Sequence, residues 1–367
     1  MKWNWQKPDW PEFTYERQKL EGLETQFLKS EGMLLGAYQH LNEENKNTLK
    51  IDIICNEALK TSEIEGEYLN RESVQSSIRR QFGLFAENRK TSPSEQGISE
   101  MMVDLYQTFD EPLTDEKLFS WHRLVTNGRT DMQDIGCYRT HEEPMQVVSS
   151  YAHKVKVHFE APPSHALNTQ MSGFLEWFRN TSATGPTPLP ALTRAGLAHL
   201  YFICIHPFED GNGRIVRAIS EKSLAQTFGK PTLIALAYTI QKHRKQYYDA
   251  LERANKSNET TDWLVYFAQT VLEAQTYTQD HISFLISKTK LFDALRGKIN
   301  ERQEKALSRM FKEGPEGFKG GLSADNYLTI TGTSRATATR DLTELVHMNA
   351  LFKTGERRHT RYWLKLE

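Results

Sequence analysis

Between His206 and Arg217 the sequence reads HPFEDGNGRIVR, which gathers a histidine, an aspartate, an asparagine, two glycines and two arginines into one short segment. Pro207 disfavours helix at His206, so the apolar helix expected over Ala191–Ile205 ends there. Gly211 and Gly213 permit positive φ and let the backbone approach a ligand closely. Helical spacing resumes at Arg214 and runs on through Ala218–Leu224. The result is a glycine-rich loop feeding a helix N-terminus, where free N–H groups and the helix dipole favour anions, phosphate above all. Arg214 and Arg217 are three apart, share one helix face and can clamp further phosphate oxygens. Asp210 is a hard oxygen ligand of the kind Mg²⁺ takes alongside substrate phosphates. His206 is the group in the loop suited to proton transfer near neutral pH. A helix corner with surface charges is the plain alternative. A lone Gly-x-Gly would not displace it; this set of residues, each fitting one role in phosphate chemistry, does.

The elements around the loop must hold it in place. Leu49, Ile51, Ile54, Ala58 and Leu59 recur at helical spacing in a helix-rich stretch from Thr48 to Phe85, interrupted at Gly66. Residues 87–96 are polar, contain Pro93 and read as a surface loop. Most segments from Leu113 to about Gln275 have helical periodicity. Residues 145–160, MQVVSSYAHKVKVHFE, do not: two β-branched runs flank a polar turn, which predicts a hairpin. Trp3, Trp5, Trp10 and Phe13 alternate with Pro8 and Pro11 within residues 1–30, which suggests an extended arm pinned to the body by its rings. His199, two helical turns before His206, has no HExxH and no second carboxylate at ligand spacing, so it is read as a packing histidine rather than a metal ligand.

Composition sets outer bounds. A chain of 367 residues, 38% hydrophobic, is long enough for two or three domains with sizeable cores. A formal net charge of -1 gives no global steering toward nucleic acid or membrane. No apolar run approaches the roughly 20 residues that span a bilayer, and MKWNWQKPDWPEF does not read as a signal peptide. Cys55, Cys137 and Cys204 are far apart, with no CxxC, so a reducing cytoplasm is the expected location.

The segment HPFEDGNGRIVR resembles the Fic signature HPFx[D/E]GN[G/K]RxxR at every fixed position, and AHLYFICI before it resembles the helix that family carries there. The resemblance covers roughly 115–275. It implies a mainly α protein: an all-helical Fic core with one β-hairpin, the flap, beside an N-terminal helical region and a C-terminal winged helix. It further implies a protein adenylyltransferase using ATP and Mg²⁺, in which His206 deprotonates a target hydroxyl that attacks the α-phosphate. Asp210 would hold Mg²⁺; Gly211, Asn212 and Gly213 would form the anion hole; Arg214 and Arg217 would bind the β- and γ-phosphates. Val147 and Val148 would lie in the flap that pairs with an extended target segment. Tyr248 and Asn255, seven apart in YYDALERAN, match residues lining the adenine pocket of related Fic proteins, although ordinary core aromatics would also explain Tyr247 and Tyr248. Gly213 bears on reaction choice, since relatives that transfer phosphate instead tend to carry Lys there.

TSEIEG at residues 61–66 reads on physics alone as a helix end closed by Gly66. It also resembles the Fic inhibitory motif [S/T]xxxE[G/N] through Thr61, Glu65 and Gly66. On that likeness Glu65 would pair with Arg217 and occupy the γ-phosphate site; in some relatives this Glu also helps remove AMP. The expected domains are therefore 1–112 with the inhibitory motif, the core at 113–275, a connecting helix at 276–296 and a winged-helix-like unit at 297–367. The last unit carries 13 Lys/Arg against 9 Asp/Glu. Its helices are expected at Ile299–Phe311, Leu322–Leu328 and Ser334–Leu345, followed by a hairpin wing at Lys353–Leu364. Arg335, Arg340, Arg357, Arg358 and Arg361 could contact DNA phosphates there, or the unit could dock a protein or a second copy of the chain. The expected partner is a target protein hydroxyl, self-modification included. The competing readings are removal of AMP, transfer of another phosphate-containing group, and a DNA-binding regulator.

Overall fold

Asn70, Ser92, Thr114, Asn300, Ser323 and Ser334 each cap the start of a helix by accepting a first-turn N–H. The computed structural model describes residues 2–87, 89–151, 154–315 and 317–366. In chain order it has α1 (Gln18–Gln39), α2 (Glu43–Ile64), α3 (Arg71–Gln81), α4 (Pro93–Gln107), α5 (Asp115–Val125), strands β1 (Gln146–Tyr151) and β2 (Lys154–Glu160), then α6 (Leu167–Asn180), α7 (Ala191–Ile205), α8 (Asn212–Phe228), α9 (Leu236–Lys242), α10 (Arg244–Ala254) and α11 (Thr261–Leu295). After these come α12 (Glu301–Phe311), α13 (Ala324–Thr331), α14 (Arg335–His347), β3 (Leu351–Thr354) and β4 (Arg361–Leu364). The protein is thus mainly helical, with two short antiparallel strand pairs among the described residues.

The chain forms two compact units. One holds residues 1–33 and 50–278, the other residues 34–49 and 279–367. Residues 50–112 therefore pack in the same unit as residues 113–278, so the expected division at 112/113 is not a division between compact units. Likewise the expected connecting helix at 276–296 is the last part of α11, which starts at Thr261; no Gly or Pro interrupts residues 261–295. The expected arm over residues 1–30 ends earlier, because α1 begins at Gln18. The expected loop at 87–96 is shorter too: Ser92 and Glu95 form a capping box and Pro93 takes the first helical position of α4.

In the first unit α7 is the central helix, buried along nearly its whole length. It packs against α8, with Phe174, Tyr201, Phe202, Phe208 and Ile215 on one side and Leu197, Leu200, Trp263 and Phe267 on the other. The N-terminal rings pin the arm to β2 and to α7. Trp3 meets Phe159 edge-on at 5.5 Å, Trp5 Nε1 donates to the Glu160 carbonyl at 2.7 Å, and Trp10 and Phe13 both pack on Tyr201. The hairpin is the expected one, with register Val147↔Phe159 and Val148↔Val157 and a bulge between Val147 and Val148. Its turn residues 152–153 lie outside the described residues.

The second unit has its own core of Leu307, Met310, Leu322, Tyr327, Leu342, Leu345, Leu351 and Tyr362. Its helix starts sit one to two residues later than the apolar pattern alone suggests, because Asn300, Ser323 and Ser334 act as N-caps. No helix among the described residues is long and apolar enough to cross a membrane.

Candidate active site

α7 ends because His206 adopts a left-handed conformation, φ 52°, with its N–H still bonded to the Phe202 carbonyl at 3.0 Å. The loop that follows is closed by its own asparagine. Asn212 Oδ1 accepts from the Phe208 N–H at 3.0 Å and Asn212 Nδ2 donates to the Phe208 carbonyl at 2.8 Å. The Asn212 side chain therefore builds the loop, and only its backbone N–H remains to face an anion. Gly211, φ 82°, is the N-cap of α8, and no side chain caps that end. A Cβ at Gly211 would come within 2.9 Å of Val125, and the positive φ there would strain any other residue. The first-turn N–H groups of α8 thus have no intrahelical partner and sit at the positive end of the helix dipole.

Residues distant in sequence fix this loop. His122 accepts from the Gly136 N–H through Nδ1 at 2.9 Å, so its Nε2 carries the proton and donates to the Asp210 carbonyl at 3.1 Å. Its ring stacks on Phe208 with centroids 4.2 Å apart. Arg139, 1% exposed, donates from Nε to the His206 carbonyl at 3.0 Å, from Nη2 to the Pro162 carbonyl, and from its backbone N–H to the Pro207 carbonyl at 3.0 Å. It ties the histidine to the chain just after the hairpin. His206 Nδ1 donates to the Ile203 carbonyl at 3.3 Å, which leaves Nε2 as the basic nitrogen. Burial, reinforced by the Arg139 charge, lowers the His206 pKa to about 4 against opposing pulls from the Ile203 carbonyl, Glu65 and Asp210. The imidazole is neutral at physiological pH and able to accept a proton.

One cavity of about 500 Å³ collects most of the sequence-predicted residues: His206, Asp210, Asn212, Gly213, Tyr248, Asn255, Glu65, Val147 and Val148 all line it. Gly211, Arg214 and Arg217 do not. Arg217 is 1% exposed and held through Nε and Nη2 by the end of α2: Nε donates to Thr61 Oγ1 at 2.7 Å, and Nη2 to the Thr61 carbonyl at 2.9 Å and to Glu65 Oε1 at 2.8 Å. The Glu65 carboxylate lies directly over Gly213, so closely that any side chain there would collide with it. An anion thus already occupies the start of α8, and it is the protein's own. Gly66, φ 86°, ends α2 and turns the chain to Glu67, which takes Arg214 Nη1 at 2.9 Å. One turn back along the same helix pair, Glu57 of α2 and Glu221 of α8 are both buried and hydrogen-bonded to each other. Burial pushes the Glu57 carboxyl up to about 7 and the Glu221 carboxyl well above the usual range, so the pair shares a proton.

Asp210 meets Arg129 Nη1 through Oδ2 at 2.6 Å and its neighbour's Gly211 N–H through Oδ1 at 2.6 Å. It lines both the main cavity and a second one of about 530 Å³ bounded by Glu65, Glu67, Arg129 and Arg214. No group of three or more His, Cys, Asp or Glu among the described residues forms a cage for a metal ion. A single half-exposed carboxylate does fit Mg²⁺, which commonly takes one or two protein carboxylates and completes its shell with water and substrate phosphates.

Tyr248, 36% exposed, opens into the main cavity with Arg244 5.2 Å from its ring centroid. Tyr247 is core: its hydroxyl bonds His199 Nε2 at 2.8 Å, while His199 Nδ1 meets Ser220 Oγ at 3.0 Å. His199 is fully buried and its pKa falls to about 3 through burial, with the Arg217 charge adding to it. It packs, as its sequence context suggests. Asn255 Nδ2 holds the His158 carbonyl of β2 at 3.2 Å, and its Oδ1 is buried without a partner. Arg214 Nε and Arg217 Nη1 are likewise buried and unpartnered. Such orphaned groups are uncommon in folded proteins and need an explanation. Two cationic donors near the start of α8 and one acceptor beside Tyr248 suit a ligand with anionic oxygens at one end and a donor at the other.

Helical packing around a glycine-cornered, anion-accepting helix start, with a two-stranded hairpin beside it, defines the class of this unit. Residues 112–224 match the Fic/DOC family model and constitute a Fic/DOC domain. Residues 3–84 match a model described as a domain of unknown function (DUF4172). The chain is 30% identical over 116 residues to a protein adenylyltransferase Fic of Nematostella vectensis, which covers 31% of this chain and 25% of that protein. It is 30% identical over 119 residues to one of Aedes aegypti, covering 32% and 22%. The match thus spans about a quarter of these relatives' length. Among solved structures, a Fic family protein from Desulfovibrio desulfuricans G20 aligns with TM-score 0.52 at 20% identity over 93% of this chain and 95% of that one. Fic-1 (residues 134–508) from C. elegans aligns with TM-score 0.50 at 19% identity over 75% of each. These likenesses show the fold.

Proposed function

We propose that the protein transfers AMP from ATP to a hydroxyl of a target protein and that Glu65 restrains it. One observation carries the reading: His206, the start of α8 at Gly213 and the exposed Val147–Val148 strand all open into a single cavity. His206 Nε2 accepts the hydroxyl proton as that oxygen attacks the α-phosphorus. The bond to the bridging oxygen breaks and pyrophosphate leaves. The N–H groups at the start of α8 hold the α-phosphate oxygens and stabilise the charge that builds on them. Arg214 and Arg217 serve the β- and γ-phosphates once Glu67 and Glu65 give way. Mg²⁺, held by Asp210, would neutralise phosphate charge. Adenine lies against Tyr248, with its amino group donating to Asn255 Oδ1. Val147 and Val148, 37% and 51% exposed, present the outer edge of β1 to an extended target segment. With ATP labelled at either phosphate, α-label is expected on protein and γ-label is not. The reverse pattern would assign phosphate transfer instead, and no label on any protein would remove the transferase reading.

The acid limb of the reaction tests the role of Arg139. A histidine whose pKa is depressed to about 4 keeps its basic form until the pH falls through that value. Arg139→Met removes the nearby positive charge, so His206 should protonate at higher pH. The acid limb of kcat/KM should then move up by about half a unit to one unit. Arg139→Lys, which keeps the charge, should leave the limb near its original place even if the rate falls. A limb that stays put in the Met variant rules out this electrostatic role.

A further inference from the structure

Taken by itself, the C-terminal unit presents a second constellation among its described residues. α13 and α14 are joined by three residues: Gly332, left-handed at φ 67°, then Thr333 and Ser334, whose hydroxyl caps α14 by accepting from the Thr337 N–H at 3.3 Å. A short glycine turn between two packed helices is the connection of a helix-turn-helix. The buried face of α14, Ala338, Leu342 and Leu345, belongs to the core. Its carboxylate Asp341 is internal as well, held by Arg302 Nε at 2.8 Å and the Tyr327 hydroxyl at 3.0 Å. What α14 leaves exposed over its first turns is Arg335, Ala336, Thr339, Arg340 and Thr343. Arg335 reaches Asp325 only at 3.8 Å, with both side chains 75% exposed, so that pair is weak. The β3–β4 hairpin that follows α14 exposes Lys353 and Arg357 near its turn. The Arg358 side chain is outside the described residues.

We propose that this unit docks on duplex DNA, with α14 in the major groove and the hairpin turn against the phosphate backbone. A helix with its side chains is about 10–12 Å across, and the major groove is about 12 Å wide. The chemistry of the exposed face chooses nucleic acid over an acidic protein. Arginines separated by threonines and alanine offer forks for phosphates and guanine edges and hydroxyls for further hydrogen bonds. The face carries no large apolar side chain to anchor a protein interface. Glu344, the exposed acid of α14, lies toward its far end and is engaged by Gln303 at 2.9 Å.

The test uses the full chain and a fluorescent duplex of roughly 24 base pairs, read by anisotropy. Wild type should bind with micromolar affinity at about 50 mM salt. If Arg335, Arg340, Lys353 and Arg357 make about four phosphate contacts, log K should fall against log salt with a slope near −3.6, about a 150-fold loss between 50 and 200 mM. Arg335→Ala with Arg340→Ala should weaken binding at least tenfold and reduce the slope by about 2, with thermal unfolding unchanged because both side chains are exposed. No binding at 50 mM salt up to about 100 μM protein, or binding indifferent to the double substitution, overturns the proposal.

Discussion

His206→Ala is expected to lower AMP transfer by about 10²–10⁴, the usual contribution of a positioned acid–base group, while ATP affinity changes by less than about threefold. The separation follows from geometry. In the proposed reaction the phosphate ligands begin at Gly211 and run along α8, whereas the imidazole would meet only the incoming hydroxyl. The backbone at position 206 is held through its carbonyl by Arg139, whatever the side chain. One complication is conformational: φ is 52° there, a region that costs most residues roughly 1–2 kcal/mol. His206→Asn is therefore the companion variant, since asparagine tolerates the left-handed region but is no base. Both are best made with Glu65→Gly, so that residual rates are measurable. Calorimetric ATP titration and initial rates on the same samples decide the matter. Transfer retained in both variants would remove His206 from the chemistry; lost ATP binding in both would make it a structural corner.

The sequence shows the loop because every constraint in it is local. Pro207, Gly211, Gly213 and the paired arginines each act on their immediate neighbours, and the hairpin shows for the same reason, through its β-branched alternation. What holds the loop in place is not local. Arg139 reaches His206 across 67 positions, Arg129 reaches Asp210 across 81, and Glu67 reaches Arg214 across 147. An isolated Arg or Glu in a polar stretch carries no mark of such a partner. α1 hides for a different reason. Its buried positions Leu20, Phe27 and Leu34 lie among Gly22, Gly32, Gly36 and charged residues, so the apolar stripe is thin. The apolar pattern shows the type and order of the short helices in the second unit, but caps rather than apolar residues set their starts. Asn212 shows the same limit at the scale of one side chain. Its place in a glycine-rich loop is readable, but that its amide closes the loop onto Phe208 is a fact of the fold.

Glu65→Gly is expected to raise the initial rate of self-modification at least tenfold, equivalent to about 1.4 kcal/mol. The Glu65 carboxylate does two things at once. It holds Arg217 Nη2, and it lies on Gly213 where α8 offers its free N–H groups and positive dipole to an anion. In the proposed function ATP would have to displace it from both. Glu65 is 29% exposed, so water screens part of the ion pair, and the restraint should fall nearer 1–3 kcal/mol than the full cost of breaking a dry buried pair. Removing the side chain leaves Arg217 anchored by Thr61 at 2.7 and 2.9 Å, with Nη1 and Nη2 both available to a phosphate. Glu65→Gln keeps the size and loses the charge. It should give intermediate activation, because the amide still covers Gly213 but no longer competes as an anion. Arg217→Ala should not mimic release: it frees Glu65 but deletes a phosphate ligand and leaves a cavity in the α2–α8 contact. Initial rates with α-labelled ATP for the four proteins, each checked for unchanged thermal unfolding, separate these contributions. Equal rates for wild type and Glu65→Gly would reduce TSEIEG to the end of a helix, its ion pair with Arg217 a matter of packing alone.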